Sequence, residues 1–302
     1  MHSLDSSQTV LTMSEHHEPV LTVDSRDAIT VETLDCFSNA LQSETDLFTS
    51  VGWDQVNPAT GPISIKGASP GDTLRVDILD IVVEDEGTVA THPDFGALPG
   101  TVEERTRKVP VIDGYVRFDE NYSFRAQPMI GVMGTAPKDQ EIETGTPAEH
   151  GGNMDTRKIS TGTTLYLPVE VPGALLAIGD VHAAMADGEV AVCGLEIGAR
   201  VVVRVSVVPG RPLPLPFLVT AEEAIAIASR EDLMEAVQEA TRMMRDFLVE
   251  NTSLTAAEAL MLLSLRGTAA ISQVVDPQKT ARMEVPHQLL EAYDLSEAVQ
   301  LD

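Results

Sequence analysis

Hydrophobic and polar residues alternate with period two along much of the first two-thirds of the chain. Leu74, Val76, Ile78 and Asp80 are set against Arg75, Asp77, Leu79 and Ile81. In an extended segment these two sets point to opposite faces, one toward a core and one partly solvated. Residues 200–208 repeat the pattern, with Arg200, Val202, Arg204 and Ser206 against Val201, Val203, Val205 and Val207. Runs at residues 20–23, 28–34, 63–65, 164–171 and 189–197 are predicted to be strands as well. Turn chemistry such as Asp24-Ser25-Arg26-Asp27 and Ser69-Pro70-Gly71-Asp72 separates them. Residues 1–15 are polar and without period, and are expected to fray. Residues 86–108 are predicted to be loop. Residues 126–164 form a glycine-rich stretch of weak period, and so long a structureless stretch inside a domain is either functional or mis-assigned.

The period changes after residues 209–216, where proline dominates. Residues 222–229 predict a strand. Ser229 is expected to cap a helix, with Asp232 three residues on, and Leu233, Val237, Ala240, Met244, Phe247 and Leu248 recur at helical spacing. Thr255 with Glu258 predicts a capping box opening a second helix that ends near Arg266. Residues 269–275 predict another strand. The expected fold is mainly β, a β-sandwich-like core with a smaller C-terminal α+β portion. The expected division is a flexible N-terminus at 1–15, a β-rich core carrying the active-site loops at 16–215, and an α+β portion at 216–302. Neither a P-loop nor a strand–GxGxxG–helix motif occurs, which disfavours a nucleotide fold.

Charge narrows the partners. The chain has 47 acidic residues against 20 basic ones. Phosphate backbones and anionic membranes both require positive charge, so nucleic acid and membrane surfaces are excluded as expected partners. The acidic excess fits either an ordinary self-repelling surface or a host with a salty cytoplasm. The beginning, MHSLDSSQTV, lacks the basic cluster and apolar core of a signal peptide, and no apolar run approaches a membrane span. A cytoplasmic protein is expected. Its two cysteines, Cys36 and Cys193, are expected to be free thiols, each a small buried apolar residue or a nucleophile.

Two stretches concentrate the groups that do chemistry. In residues 147–171, His150, Asn153 and Asp155 surround Gly151-Gly152. In residues 179–196, His182 is followed by Asp187-Gly188-Glu189 and then Glu196. A turn accounts for some of these: Asp-Gly is a hairpin signal, and Asn and Asp cap backbone groups. His182 alone fits a structural role as well as a ligand role. Glu196 is harder to place. With residues 189–196 extended, Val190, Val192, Gly194 and Glu196 share one face, and a carboxylate ends an apolar row. A buried carboxylate is costly unless it is paired, protonated or coordinated. Histidine and several carboxylates offer nitrogen and oxygen donors for zinc or a similar divalent ion, although no HExxH or HxH motif is present. Trp53 and the few other aromatics offer no stacking stripe for nucleic acid or sugar, and Met243, Met244 and Met261 sit at core-like helical spacing.

These residues lie in ordered blocks that resemble the acetamidase/formamidase family. The blocks are TLDCF (33–37), NPATGPI (57–63) with GASPGDTLRVDILDI, PMIGVMGTAP (128–137), HGGNMDTRKISTGTTLYLPV (150–169), GALLAIGDVHAAMADGEV (173–190) and AAISQVVDPQKTARMEVP (269–286). HGGNMD and GDxHAxxxDGEV in tandem are specific to that family. The resemblance implies hydrolysis of small amides to a carboxylate and ammonia, with related members opening small lactams. It also implies a β-sandwich-like core with an added α/β portion, a homo-oligomer, and a divalent metal, often zinc. By motif it singles out His150, Asn153 and Asp155, then His182, Asp187, Glu189 and Glu196, and Asp35 from TLDCF. Two departures are visible: Ala186 stands where glycine is common, and Ser38-Asn39-Ala40 follows LDCF in place of glycines and a glutamine.

The expected site then assigns Asp155, His182 and Asp35 to the metal and His150 and Asn153 to the substrate. Glu196, Glu189 and Asp187 are the candidate catalytic acids, one of which takes the proton of water and passes it to the leaving amine. Two alternatives stand beside it. Cys36 could act as nucleophile through a thioester, or the chain could be a non-catalytic binding protein for a small polar ligand.

Overall fold

Burial along the strand Thr73–Val83 follows the alternation as far as Ile78 and then resets. Leu74, Val76 and Ile78 are buried, but so is Ile81, while Asp80 faces solvent. The cause is a bulge. Against the partner strand Ala199–Val208, Val203 pairs with Ile78 and Val202 pairs with Asp80, so Leu79 is left without an opposite residue. One extra residue exchanges the faces of all that follow, which turns Asp80 outward and Ile81 inward. The computed structural model containing this pair describes residues 2–301; Met1 and Asp302, which belong to the outermost expected ranges, lie outside it.

Two sheets face each other. The larger has nine strands, in the order His2–Leu4, Ala28–Thr33, Ala199–Val208, Thr73–Val83, Thr164–Pro168, Phe217–Val219, Glu223–Arg230, Lys279–Pro286 and Thr268–Gln273. The second runs Gly151–Asn153, Met129–Gly134, Leu176–His182, Ala59–Ile65 and Thr9–Val10, with Leu21–Val23 also paired to Ala59–Ile65. Ile29, Val76, Val201 and Val203 of the first sheet and Ile63, Ile130 and Ile178 of the second belong to one apolar cluster, the core of the sandwich. A four-stranded meander covers Glu86–Thr91, Arg105–Ile112, Tyr115–Arg117 and Ser123–Arg125.

The large sheet continues past residue 215, and its far end carries the helices. Ile225 and Ile227 of Glu223–Arg230 enter the sandwich core, while Ala224, Ala226 and Ala228 face a second core. That second core holds Ala240, Met244, Phe247 and Leu248 of helix Leu233–Asn251, together with Ala259 and Leu263 of helix Ala256–Arg266. A strand buried on both faces needs apolar residues at every position, which is the composition of this segment. The first helix is capped by Asp232, whose side chain accepts the N–H groups of Met234 and Glu235 at 2.8 and 3.1 Å. Ser229, the expected cap, lies inside the strand. The second helix opens on the expected Thr255–Glu258 capping box.

Several expectations need correction. Residues 2–14 contain three short strands, and His2–Leu4 pairs in parallel with Ala28–Thr33. The partners of these polar strands lie far along the chain, out of reach of local pattern. Residues 86–108 hold the strand Glu86–Thr91 and the start of Arg105–Ile112. The stretch 126–164 contains Met129–Gly134, Glu141–Glu143 and Gly151–Asn153; the first is buried throughout, which erases its period. Residues 189–197 are not a strand. Glu189 and Val192 have positive φ, at 49° and 105°, and Val190 is exposed. Glu196 makes only single bridges, to Thr88 and to His182. Among the described residues no helix is long and apolar enough to cross a membrane.

Candidate active site

The strand Leu176–His182 lies between Met129–Gly134 and Ala59–Ile65 and ends in Asp180 and His182. Asp155 follows the edge strand Gly151–Asn153, and Glu189 and Glu196 sit in the irregular segment after His182. Three of these acids occupy the left-handed region: φ is 40° at Asp155, 53° at Asp180 and 49° at Glu189. Such a conformation costs on the order of 1 kcal/mol per non-glycine residue, and a cluster of them marks a place where side-chain direction outweighs backbone ease. Two glycines make room. A Cβ on Gly131 would stand 2.3 Å from Asp180 Oδ2 and 2.5 Å from Asp155 Oδ1, and one on Gly194 would stand 2.4 Å from His182 Nδ1.

The side chains converge on one imidazole. His182 Nε2 lies 3.0 Å from Glu196 Oε1, 3.4 Å from Asp180 Oδ1 and 3.7 Å from Asp155 Oδ1. None of these approaches meets hydrogen-bond geometry, and His182, Asp155, Asp180 and Glu196 are each no more than 2% exposed. Asp155, His182 and Glu189 each present a donor atom within 4.8 Å of the others, and Cys36, Asp180 and Glu196 form a second such group. Buried polar atoms without a partner gather here: Asp155 Oδ1, Asp180 Oδ1, both ring nitrogens of His182, Glu189 Oε2 and Glu196 Oε2.

Electrostatics explains why these atoms need company. Burial, reinforced by the charge of Asp180 and opposed by His182, raises Asp155 to about 7. Burial, opposed by His182 and reinforced by Asp180, raises Glu196 to about 8. Burial and the charge of Asp155 push Glu189 and Asp276 well above the carboxylate range. Burial disfavours a charge on His182, but Glu196 and Asp180 outweigh it and hold the imidazole well above its ordinary value. Several acids around one histidine are left with excess negative charge that only protons or a cation can compensate. One imidazole nitrogen and several carboxylate oxygens form a donor set suited to zinc or a similar divalent ion. The unpartnered atoms fit such an ion.

The other expected residues stand in different relations to this centre. Asp187 is half-exposed and ion-paired to Arg157 at 3.0 Å and Arg282 at 2.7 Å; despite partial burial these guanidiniums hold its carboxyl below the usual range. Asp35 closes a turn: its Oδ1 accepts the N–H groups of Phe37 and Asn39, and it belongs to neither donor group. His150 is buried beside Gly134 and Gly152 with both ring nitrogens unpartnered, and burial lowers it to about 4. Asn153 reaches the centre. Its Nδ2 donates to Asp276 Oδ2 at 3.1 Å, and its Oδ1 is buried without a partner. Cys36 lies beside Asp180 and Glu196, and burial together with their charge pushes its thiol well up, away from the thiolate a nucleophile requires.

Two acids were missed. Asp180 stands two residues before His182, and the i, i+2 spacing on a strand was a signal available in the sequence. Asp276, in the loop between Thr268–Gln273 and Lys279–Pro286, is distant in sequence from every other member; it lies in the family-like block 269–286, but no histidine or second acid of the site stands near it to mark it. Asn153, Asp180, Glu189, Glu196 and Asp276 all line one cavity of about 600 Å³.

Fold and site together define a mainly β protein with a buried imidazole–carboxylate centre at a cavity. The chain belongs to the acetamidase/formamidase family, whose sequence model matches residues 8–144 and 139–292. It is similar to the crystal structure of an acetamidase from Bacillus halodurans, with 43% identity, a TM-score of 0.95, and 96% of this chain and 99% of that one covered. A predicted acetamidase/formamidase from the thermophile Thermoanaerobacter tengcongensis is 44% identical with a TM-score of 0.94, over 97% of this chain and 98% of that one. A putative formamidase of Schizosaccharomyces pombe is 24% identical over 60% of each chain. The alignments with the curated relatives span 48% to 60% of the relatives' lengths.

Proposed function

We propose that the protein hydrolyses linear primary amides to a carboxylate and ammonia, with a divalent cation, zinc by its donor set, held by Asp155, His182 and Glu189. The carrying observation is the convergence of these three side chains, donor atoms within 4.8 Å of one another, with Glu189 of the three opening onto the cavity that Asn153, Asp180, Glu196 and Asp276 also line. When bound, such an ion supplies Lewis-acid polarisation of the amide carbonyl and lowers the pKa of water toward about 7. Glu196 is the proton carrier. Its Oε1 accepts the N–H of Gly194 at 2.9 Å, which fixes the carboxyl and leaves Oε2 without a partner. It takes a proton from the attacking water and returns it to the departing nitrogen. The Oδ1 of Asn153 accepts an N–H of the substrate amide, because Asp276 already occupies the Nδ2 of Asn153 and so fixes which way the side chain points. Asp180, 3.4 Å from His182 Nε2 on the same strand, adds negative charge beside the imidazole.

The test combines metal analysis of the purified protein with ammonia release from formamide and acetamide, before chelation, after it, and after zinc is restored. Near one equivalent of divalent metal, with ammonia release lost on chelation and recovered on reloading, is the expected result. Full turnover by metal-free protein, or no turnover by loaded protein across both amides, overturns the proposal.

A further inference from the structure

The cavity is far larger than a formamide or acetamide needs. Acetamide has four non-hydrogen atoms and fills on the order of 100 Å³, about three waters' worth, against the 600 Å³ available. Most of the lining surface is apolar. Away from the acids, the cavity is walled by Phe37, Phe48, Trp53, Val56, Phe95 and Val192. Three of the chain's 7 phenylalanines and its single tryptophan therefore gather at one cavity, in a chain only 4% aromatic.

These rings form a contiguous wall. The Phe48 centroid lies 5.1 Å from Phe37 and 5.2 Å from Trp53, and Trp53 lies 4.9 Å from Phe95. His92 packs behind them, 4.7 Å from Phe95 and 5.6 Å from Phe48. Phe48 is buried, whereas Trp53 and Phe95 are 60% and 39% exposed. Large aromatic faces left open at the mouth of a cavity whose other end holds paired acids describe a binding site with one polar and one apolar end. Asp54, Glu143 and Lys279 also line the cavity; two carboxylates against one ammonium leave a net negative rim that favours a neutral acyl part over an anionic one.

We infer that the preferred substrate is a neutral primary amide with an aryl-bearing acyl group, its carboxamide at the Asp155–His182–Glu189 centre and its ring against Phe48, Trp53 and Phe95. This rests on the amide-hydrolase reading and extends it to the acyl side. Burying one aryl ring against this wall raises kcat/KM by roughly tenfold or more over a methyl group in its place.

The single tryptophan makes the inference testable with or without turnover. Phenylacetamide and acetamide are titrated into the metal-loaded protein while Trp53 emission is followed with excitation at 295 nm, and ammonia release is measured for both. Phenylacetamide should change the emission saturably at concentrations at least about tenfold lower than acetamide requires, and its kcat/KM should exceed that of acetamide by a similar factor. In Trp53→Ala and Phe95→Ala, the ratio of the two kcat/KM values should fall by about tenfold, and Trp53→Phe should recover most of it. Both side chains are partly exposed, and the melting temperature of each variant verifies that it folds. Acetamide binding or turnover equal to that of phenylacetamide overturns the inference, as does a ratio that neither variant moves. Failure of all amide turnover refutes the amidase reading instead, and the Trp53 emission titration still decides whether the aryl wall binds an arylacetamide.

Discussion

With the proposed cation removed, the protein's stability should fall as pH rises through neutrality. The relevant groups are those whose acid forms the fold prefers. Glu196 is raised from 4.5 to about 8, and Asp155 from 3.8 to about 7. Between each unfolded and folded value the native state holds a proton that the unfolded chain has lost. Stability from these groups is therefore complete below the unfolded value and disappears as pH rises through the folded one. His182, raised well above 6.5, acts in the same direction. His150 acts the other way, because its folded value of about 4 lies below 6.5, so its contribution rises with pH up to that point and is then constant. From pH 6.5 to 8 nothing at the site opposes the decline. Over that window Glu196 and Asp155 together lower the unfolding free energy by on the order of 2 kcal/mol. For a chain of this length the total corresponds to a drop of about 5 °C in melting temperature. The assay is a set of thermal melts at pH 6.5, 7.25 and 8, at constant ionic strength, with chelator and with saturating zinc. The zinc-loaded protein should show no such decline, because the cation replaces the protons and binds more tightly as its ligands deprotonate. A chelated protein whose melting temperature is flat or rising from pH 6.5 to 8 would refute the account of a proton-loaded, cation-accepting centre.

Three substitutions separate the roles within the site. Glu196→Gln keeps the shape and removes the proton carrier, so kcat for amide hydrolysis should fall by about 10² to 10⁴ while metal content measured by elemental analysis is unchanged. Gly131→Ala places a methyl 2.3 Å from Asp180 Oδ2 and 2.5 Å from Asp155 Oδ1; bound metal should drop at least about tenfold, read by the same analysis at fixed free zinc. Asp187→Asn leaves the buried Arg282 short of one of its two carboxylate partners, which should cost about 1 to 3 kcal/mol in urea unfolding while metal content stays at the wild-type level.

How far the sequence foretold this molecule depended on whether a feature lives in local period or in distant pairing. The long strands Thr73–Val83 and Ala199–Val208 and both long helices were legible because each keeps one face on a core over many residues. The bulge at Leu79 was not, since it is a property of the pair and neither strand alone encodes it. The row ending in Glu196 raised the right question for the wrong reason. The segment 189–197 is irregular, with Glu189 and Val192 at positive φ, and Glu196 turns inward through its bridges to Thr88 and His182 rather than by strand alternation. The costly buried carboxylate expected there is nevertheless present, 1% exposed and 3.0 Å from an imidazole. Chemistry constrained that residue more firmly than secondary structure did: a carboxylate in an apolar neighbourhood demands compensation whatever backbone carries it. Asp276 and the aromatic wall show the opposite limit. Asp276 lies in a turn more than 100 residues from Asn153, and Phe37, Phe48, Trp53 and Phe95 sit at spacings with no period. Only the closing of the chain onto itself brings Asp276 to the acid centre and the four rings to one cavity, so the shape of the site was the feature least accessible to pattern.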